Sequence, residues 1–141
     1  MLPPRMTEHY RQAILGAQRI CRDDVVEPID LFDAVLLGDD LWGTFLRGAG
    51  ATARSGDTPA ATLTSVVFSI DARDAIRDSN AEAARRRHRS VGPGHLAIAA
   101  LRTESARRAV SDYDTLIERL ATALDEVSEL FGLSSVQSVT S

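Results

Sequence analysis

The sequence predicts an all-α fold, and three observations carry that reading. Apolar residues recur at three- and four-residue spacing in several separate stretches. Each of those stretches is bounded by helix-starting and helix-stopping residues. No segment alternates with period two for long, and the one strand candidate, residues 63–68, is too solitary to build a sheet.

The first helix is expected over residues 7–22. Thr7 serves as N-cap, Glu8 sits in the first turn, and Tyr10, Ala13, Ile14, Ala17, Ile20 and Cys21 share one face. Asp23-Asp24 breaks the pattern, and Pro28 stops the helix from running on. Asp30 is placed as the cap of a second helix carrying Leu31, Val35 and Leu36, ending near Gly38. A third helix fits residues 41–46, before Gly48-Ala49-Gly50, with Trp42 expected in the core. A linker rich in Ala, Thr, Ser and Gly follows. Residues 69–87 restart a long helix, capped by Ser69, with Ala72, Ala75, Ile76, Ser79 and Ala83 forming a small-residue face. Gly92-Pro93-Gly94 forces a turn, and short helices are expected over 95–101 and around 105–110. The last helix starts near Asp112 and aligns Leu116, Leu120, Leu124, Val127 and Phe131. Residues 132–141 are polar, and the expectation there is a disordered tail.

A chain of 141 residues with 44% hydrophobic and 26% charged residues and net charge −4 is expected to form one globular domain. The absence of a signal-like apolar stretch near Met1 and the lone Cys21 make the cytoplasm the expected compartment. All sixteen basic residues are arginine, for which arginine-favouring, GC-rich coding is the plain reading. With no lysine, a P-loop of the ATPase type is excluded. His88 and His95 have no third ligand at useful spacing, and Cys21 lies on an apolar face. With no nucleophile–base pair or carboxylate dyad in view, we expect no catalytic residue, no metal, no cofactor and no enzymatic activity.

The order long helix, turn, short helix, short helix occurs twice. Met6-Thr7 opens the first copy as Phe68-Ser69 opens the second, and Arg11, Ala13 and Ile14 fall opposite Arg73, Ala75 and Ile76. Val26 stands five residues before Leu31 as Val91 does before Leu96, and Leu36 answers Leu101. This gives repeat one at 6–50, a linker at 51–66 and repeat two at 67–131.

Phe68, Ser69, Ala72, Ile76, Ala83, His88, Val91, Gly92, His95, Leu96 and Leu101 stand in ungapped register with the repeat of the Clp N-terminal (R) domain, which fronts the ClpA and ClpC unfoldases. The chain resembles that family over residues 6–131, strongly in the second copy and weakly in the first, where Thr7, Ala13, Ile14 and Leu31 carry it. The resemblance implies a pseudo-twofold bundle of seven to eight helices that binds proteins or peptides. No ATPase module follows within the chain, so the expectation is a stand-alone module acting as adaptor, competitor or sequestering decoy in ClpC-type proteolysis. Its partners would be Clp substrates, adaptors or the unfoldase itself, with cyclic-peptide antibiotics as a further ligand class.

Where the family has Thr-Glu-His before its second helix, this chain has Pro28-Ile29-Asp30 and Pro93-Gly94-His95. The family glutamates are suited to hold a guanidinium, and in some relatives they receive phosphorylated arginine; Ile29 and Gly94 cannot. In the family, the positions of Met6 and Phe68 line a groove between the repeats. The expected groove residues are therefore Met6, Tyr10 and Phe68, flanked by Arg73 and Arg77. A hydrophobic staple is the alternative role for Met6 and Phe68, and the two are compatible. The run Arg85-Arg86-Arg87-His88-Arg89 reads first as a solvated helix end. A DNA-associated regulator using that run is the alternative function, disfavoured by the acidic chain and the lack of nearby aromatic residues.

Overall fold

The computed structural model describes residues 5–21, 24–38, 40–51, 66–110 and 113–140, with the backbone alone from 127 onward. Seven helices are present among the described residues: α1 Glu8–Ile20, α2 Pro28–Leu36, α3 Leu41–Gly48, α4 Ile70–Arg85, α5 Pro93–Leu101, α6 Glu104–Ala109 and α7 Tyr113–Thr140. The all-α prediction stands. Almost all of the expected linker lies outside the described residues, as do the side chains of Val127 and Phe131. The α7 backbone is helical to Thr140, across most of the stretch read from sequence as a tail.

Two short helices make the centre. Every residue of α2 and of α5 is buried, and the two pack against each other. A helix buried all round needs apolar or small residues on every face, and Pro93–Leu101 supplies them with Leu96, Ile98, Leu101 and three alanines. The long helices wrap this pair, α1 on α2 and α4 on α5, while α7 closes the bundle through Leu116, Leu120 and Leu124. Alanines at 13, 17, 72, 75 and 83 let the long helices approach closely.

Both central helices begin in the same way. Pro28 and Pro93 stand at the first helical position, where a missing N–H costs nothing. Asp30 and His95 are therefore not caps or starts, as the sequence suggested, but third helical residues. Each reaches back: Glu27 N donates to Asp30 Oδ2 at 2.8 Å, and Gly92 N donates to His95 Nδ1 at 2.9 Å.

The copies are also joined by paired strands too short to signal themselves in sequence. β1 (Arg5–Met6) runs parallel to β4 (Ser90–Val91), and β2 (Val25–Val26) runs parallel to β3 (Val67–Phe68). The entry to each long helix thus pairs with the turn before the other copy's central helix. Thr7 N donates to Val91 O at 3.1 Å, and Ser69 N donates to Val26 O at 3.0 Å. Thr7 and Ser69 also cap their helices, accepting from Tyr10 N and Ala72 N. One pair of homologous residues performs both tasks, which is the pseudo-twofold relation in atomic terms.

Candidate functional site

The entries to α1 and α4 carry apolar side chains that the core does not absorb. Met6 is 50% exposed, Val67 53% and Ile70 77%. Phe68, between the last two, is half-buried and packs on the core. Arg73 and Arg77 are exposed on the next turns of α4, where Arg77 pairs with Asp74 at 3.2 Å. Val67 and Ile70 were not singled out from the sequence; adjacent to a half-buried phenylalanine, only burial distinguishes them from core residues.

Tyr10 belongs elsewhere. It is fully buried, and its hydroxyl donates to Ser79 Oγ at 2.7 Å, while Ser79 Oγ donates to Ile76 O at 2.6 Å. Burial raises the Tyr10 pKa, with the Ser79 hydrogen bond opposing it. The ring ties α1 to α4 beneath the surface, and no ligand reaches it without unpacking the bundle.

The two positions at which the resemblance implied an acidic pair, Ile29 and Gly94, lie against apolar structure. Ile29 is buried on α2. At Gly94 the indole of Trp42 occupies the space: an added Cβ would stand 2.5 Å from Trp42 Cε2. Trp42 is itself half-buried rather than a full core residue, and meets Phe45 edge-on at a centroid distance of 6.0 Å.

The other end of α4 gathers the charged groups. Glu82 is 2% exposed and is held by Arg102 at 2.5 Å, by Arg86 at 2.8 Å and by Arg85. Burial works against its charge, yet the hydrogen bonds from Arg102 and Arg86 prevail and hold its carboxyl below the usual value. Arg86 also pairs with Asp125 of α7. Beside this network His88 Nδ1 lies 2.6 Å from His95 Nε2. His95 Nδ1 accepts from Gly92 N, so its proton is on Nε2, and it donates to His88 Nδ1. Both rings are neutral in this arrangement. Burial, then the neighbouring His88 and Arg86, push His95 down to about 4, and burial and Arg86 also lower His88. The histidines thus take the structural role at the turn, and no cluster of three metal-ligating side chains exists among the described residues.

No family model matches the chain, and no curated protein matches it by sequence. Solved structures do share the fold. A chain from structural investigations of a malarial protein secretion system superposes with a TM-score of 0.67 at 14% identity, over 88% of this chain and 97% of that one. The N-terminal domain of the caseinolytic protease-associated chaperone ClpD from Arabidopsis thaliana superposes with a TM-score of 0.63 at 17% identity, over 88% and 97%. The chain therefore has a Clp N-terminal-like fold.

Proposed function

We propose that this chain is a Clp N-domain-like module that binds proteins or peptides and performs no chemistry of its own. Its role is that of adaptor, competitor or sequestering decoy for ligands that dock on a ClpC-type unfoldase, cyclic-peptide antibiotics among them. The observation that carries this reading is the exposure of Met6, Val67 and Ile70 at the entries to the two long helices, beside the half-buried Phe68. Met6 and Phe68, at equivalent points of the two copies, offer apolar contact area with Val67 and Ile70 beside Phe68, and the neighbouring Arg73 and Arg77 supply charged edges that select among ligands. Acidic pairing of phosphorylated arginine is not part of the proposal, because Ile29 and Trp42 fill that space.

The test is competition. A ClpC-type unfoldase with its protease is given an unfolded protein substrate, and this chain is added in excess. Slower degradation by the competitor or decoy, or faster degradation by the adaptor, is expected, with the effect lost in Ile70→Ser. An unchanged rate, or an effect that survives Ile70→Ser undiminished, contradicts the proposal.

A further inference from the structure

At the C-terminal end of α4, five arginines collect on a protein whose net charge is −4. Arg85, Arg86, Arg87 and Arg89 come from the helix end, and Arg102 joins them from the end of α5 through Glu82. Among the described residues, ion pairs here involve Arg85, Arg86 and Arg102 with Glu82 and Asp125; exposed Arg87 and Arg89 make none. We propose that this end of the molecule is a docking surface for an acidic polypeptide segment, one place of which Asp125 occupies from within.

Three features separate this surface from a merely solvated helix end. The buried Glu82 fixes Arg86, whose side chain is only 15% exposed, and Arg102, so those guanidinium groups are held in place before a ligand arrives. Arg87 has φ +60, the left-handed conformation favoured by glycine, and its N–H and that of His88 close the helix onto Ala84 O and Ala83 O. An arginine therefore stands where glycine would be easier, with its side chain in solvent. Finally, Asp125 is 69% exposed on another helix and already sets its carboxylate on Arg86. The surface takes a carboxylate from an exposed, separately mounted side chain in the structure itself.

An acidic polypeptide fits better than nucleic acid. No Phe, Tyr or Trp lies between Ala81 and Arg102 to stack a base. Carboxylates on a flexible segment need no stacking, and a fixed guanidinium fork matches them in pairs.

The experiment is fluorescence anisotropy of the whole chain with a labelled glutamate-rich peptide, and in parallel with a labelled short DNA duplex, at low and moderate salt. Peptide binding that weakens with salt is expected, falling more than about tenfold for Arg87→Ala with Arg89→Ala, both exposed positions. Arg11→Ala with Arg19→Ala, two exposed arginines of α1, should leave the affinity within about twofold. Asp125→Asn should tighten binding about threefold by freeing Arg86. Absence of peptide binding, equal loss in the Arg11 and Arg19 variant, or tighter capture of the duplex through Arg87 and Arg89 overturns the proposal. Unchanged affinity in Asp125→Asn overturns the internal-occupant part. Circular dichroism confirms folding of each variant, and Arg89→Ala alone replaces the double variant if that fails to fold.

Discussion

The indole of Trp42 rests against the α-carbon of Gly94, with three ring atoms 2.5–2.8 Å from where a Cβ would stand. This contact joins the first copy's α3 to the second copy's α5, and it explains why residue 94 is glycine: any side chain would displace the ring. It also removes one of the two positions at which an acidic side chain could meet a guanidinium from a ligand.

Gly94→Glu should therefore destabilise the fold, by about 1–3 kcal/mol as overpacking costs elsewhere. It should not create binding to arginine-phosphorylated peptides. Denaturation curves and calorimetry check both halves. A Gly94→Glu protein of unchanged stability would show that Trp42 yields freely, and the packing argument would fail.

Tyr10→Phe removes only the hydroxyl that donates to Ser79 Oγ. The expected loss is about 1 kcal/mol, the net worth of one buried hydrogen bond. Because Tyr10 is fully buried, affinity for any protein ligand should not change beyond that. A selective loss of binding with stability retained would return Tyr10 to the groove.

The His88–His95 pair makes stability depend on pH. The folded pKa of His95, about 4, lies below the ordinary histidine value of 6.5. The unfolded chain then takes up a proton first, so the stability contributed by the neutral ring is complete above pH about 6.5 and is lost as pH falls toward about 4. Between pH 7.5 and 5 this amounts to about 2 kcal/mol. Glu82, lowered by its arginines, adds stability that is complete above the usual carboxylate value and is lost as pH falls through that value and below it. His95→Gln should flatten the profile between pH 7.5 and 5. A wild-type profile as flat as that variant's would contradict the assignment.

Arg87 bears the left-handed backbone at the end of α4. Arg87→Gly should stabilise the protein by about 1 kcal/mol, since glycine takes that conformation without the side-chain clash. Thermal or chemical denaturation reads the result directly, and a destabilised Arg87→Gly would mean that the arginine side chain holds the helix end together.

Much of the fold was legible because its signals are local and repeated. Thr7 and Ser69 cap as expected, Val26 and Val91 are buried, and the five-residue steps to Leu31 and Leu96 mark equivalent turns. The roles of Asp30 and His95 were misplaced by two or three residues, because a proline read as a helix breaker is equally a helix starter, and only backbone geometry decides. The two-residue strands left no periodic trace, and their partners are distant in sequence. At the candidate surface, Phe68 was visible through its register with Met6, but Tyr10 shared an apolar face with core residues and nothing local separated it from them. Glu82 was unreadable for a different reason: a lone glutamate on a helix looks solvated until Arg102, twenty residues on, is folded against it.

The most direct test of the account compares two neighbouring substitutions at the entry to α4. Ile70 is 77% exposed and contributes little to the core, whereas Phe68 packs against it. With a fluorescently labelled unfolded protein as ligand, affinity and unfolding free energy are measured for the wild type, Ile70→Ser and Phe68→Ala. Ile70→Ser should change stability by less than about 0.5 kcal/mol yet weaken binding by more than about fivefold, as loss of an interface anchor does. Phe68→Ala should weaken binding as well, and should cost less than the roughly 3–5 kcal/mol of a fully buried phenylalanine. Undiminished affinity in both variants would contradict the claim that this surface binds protein, and would leave Phe68 as a staple alone.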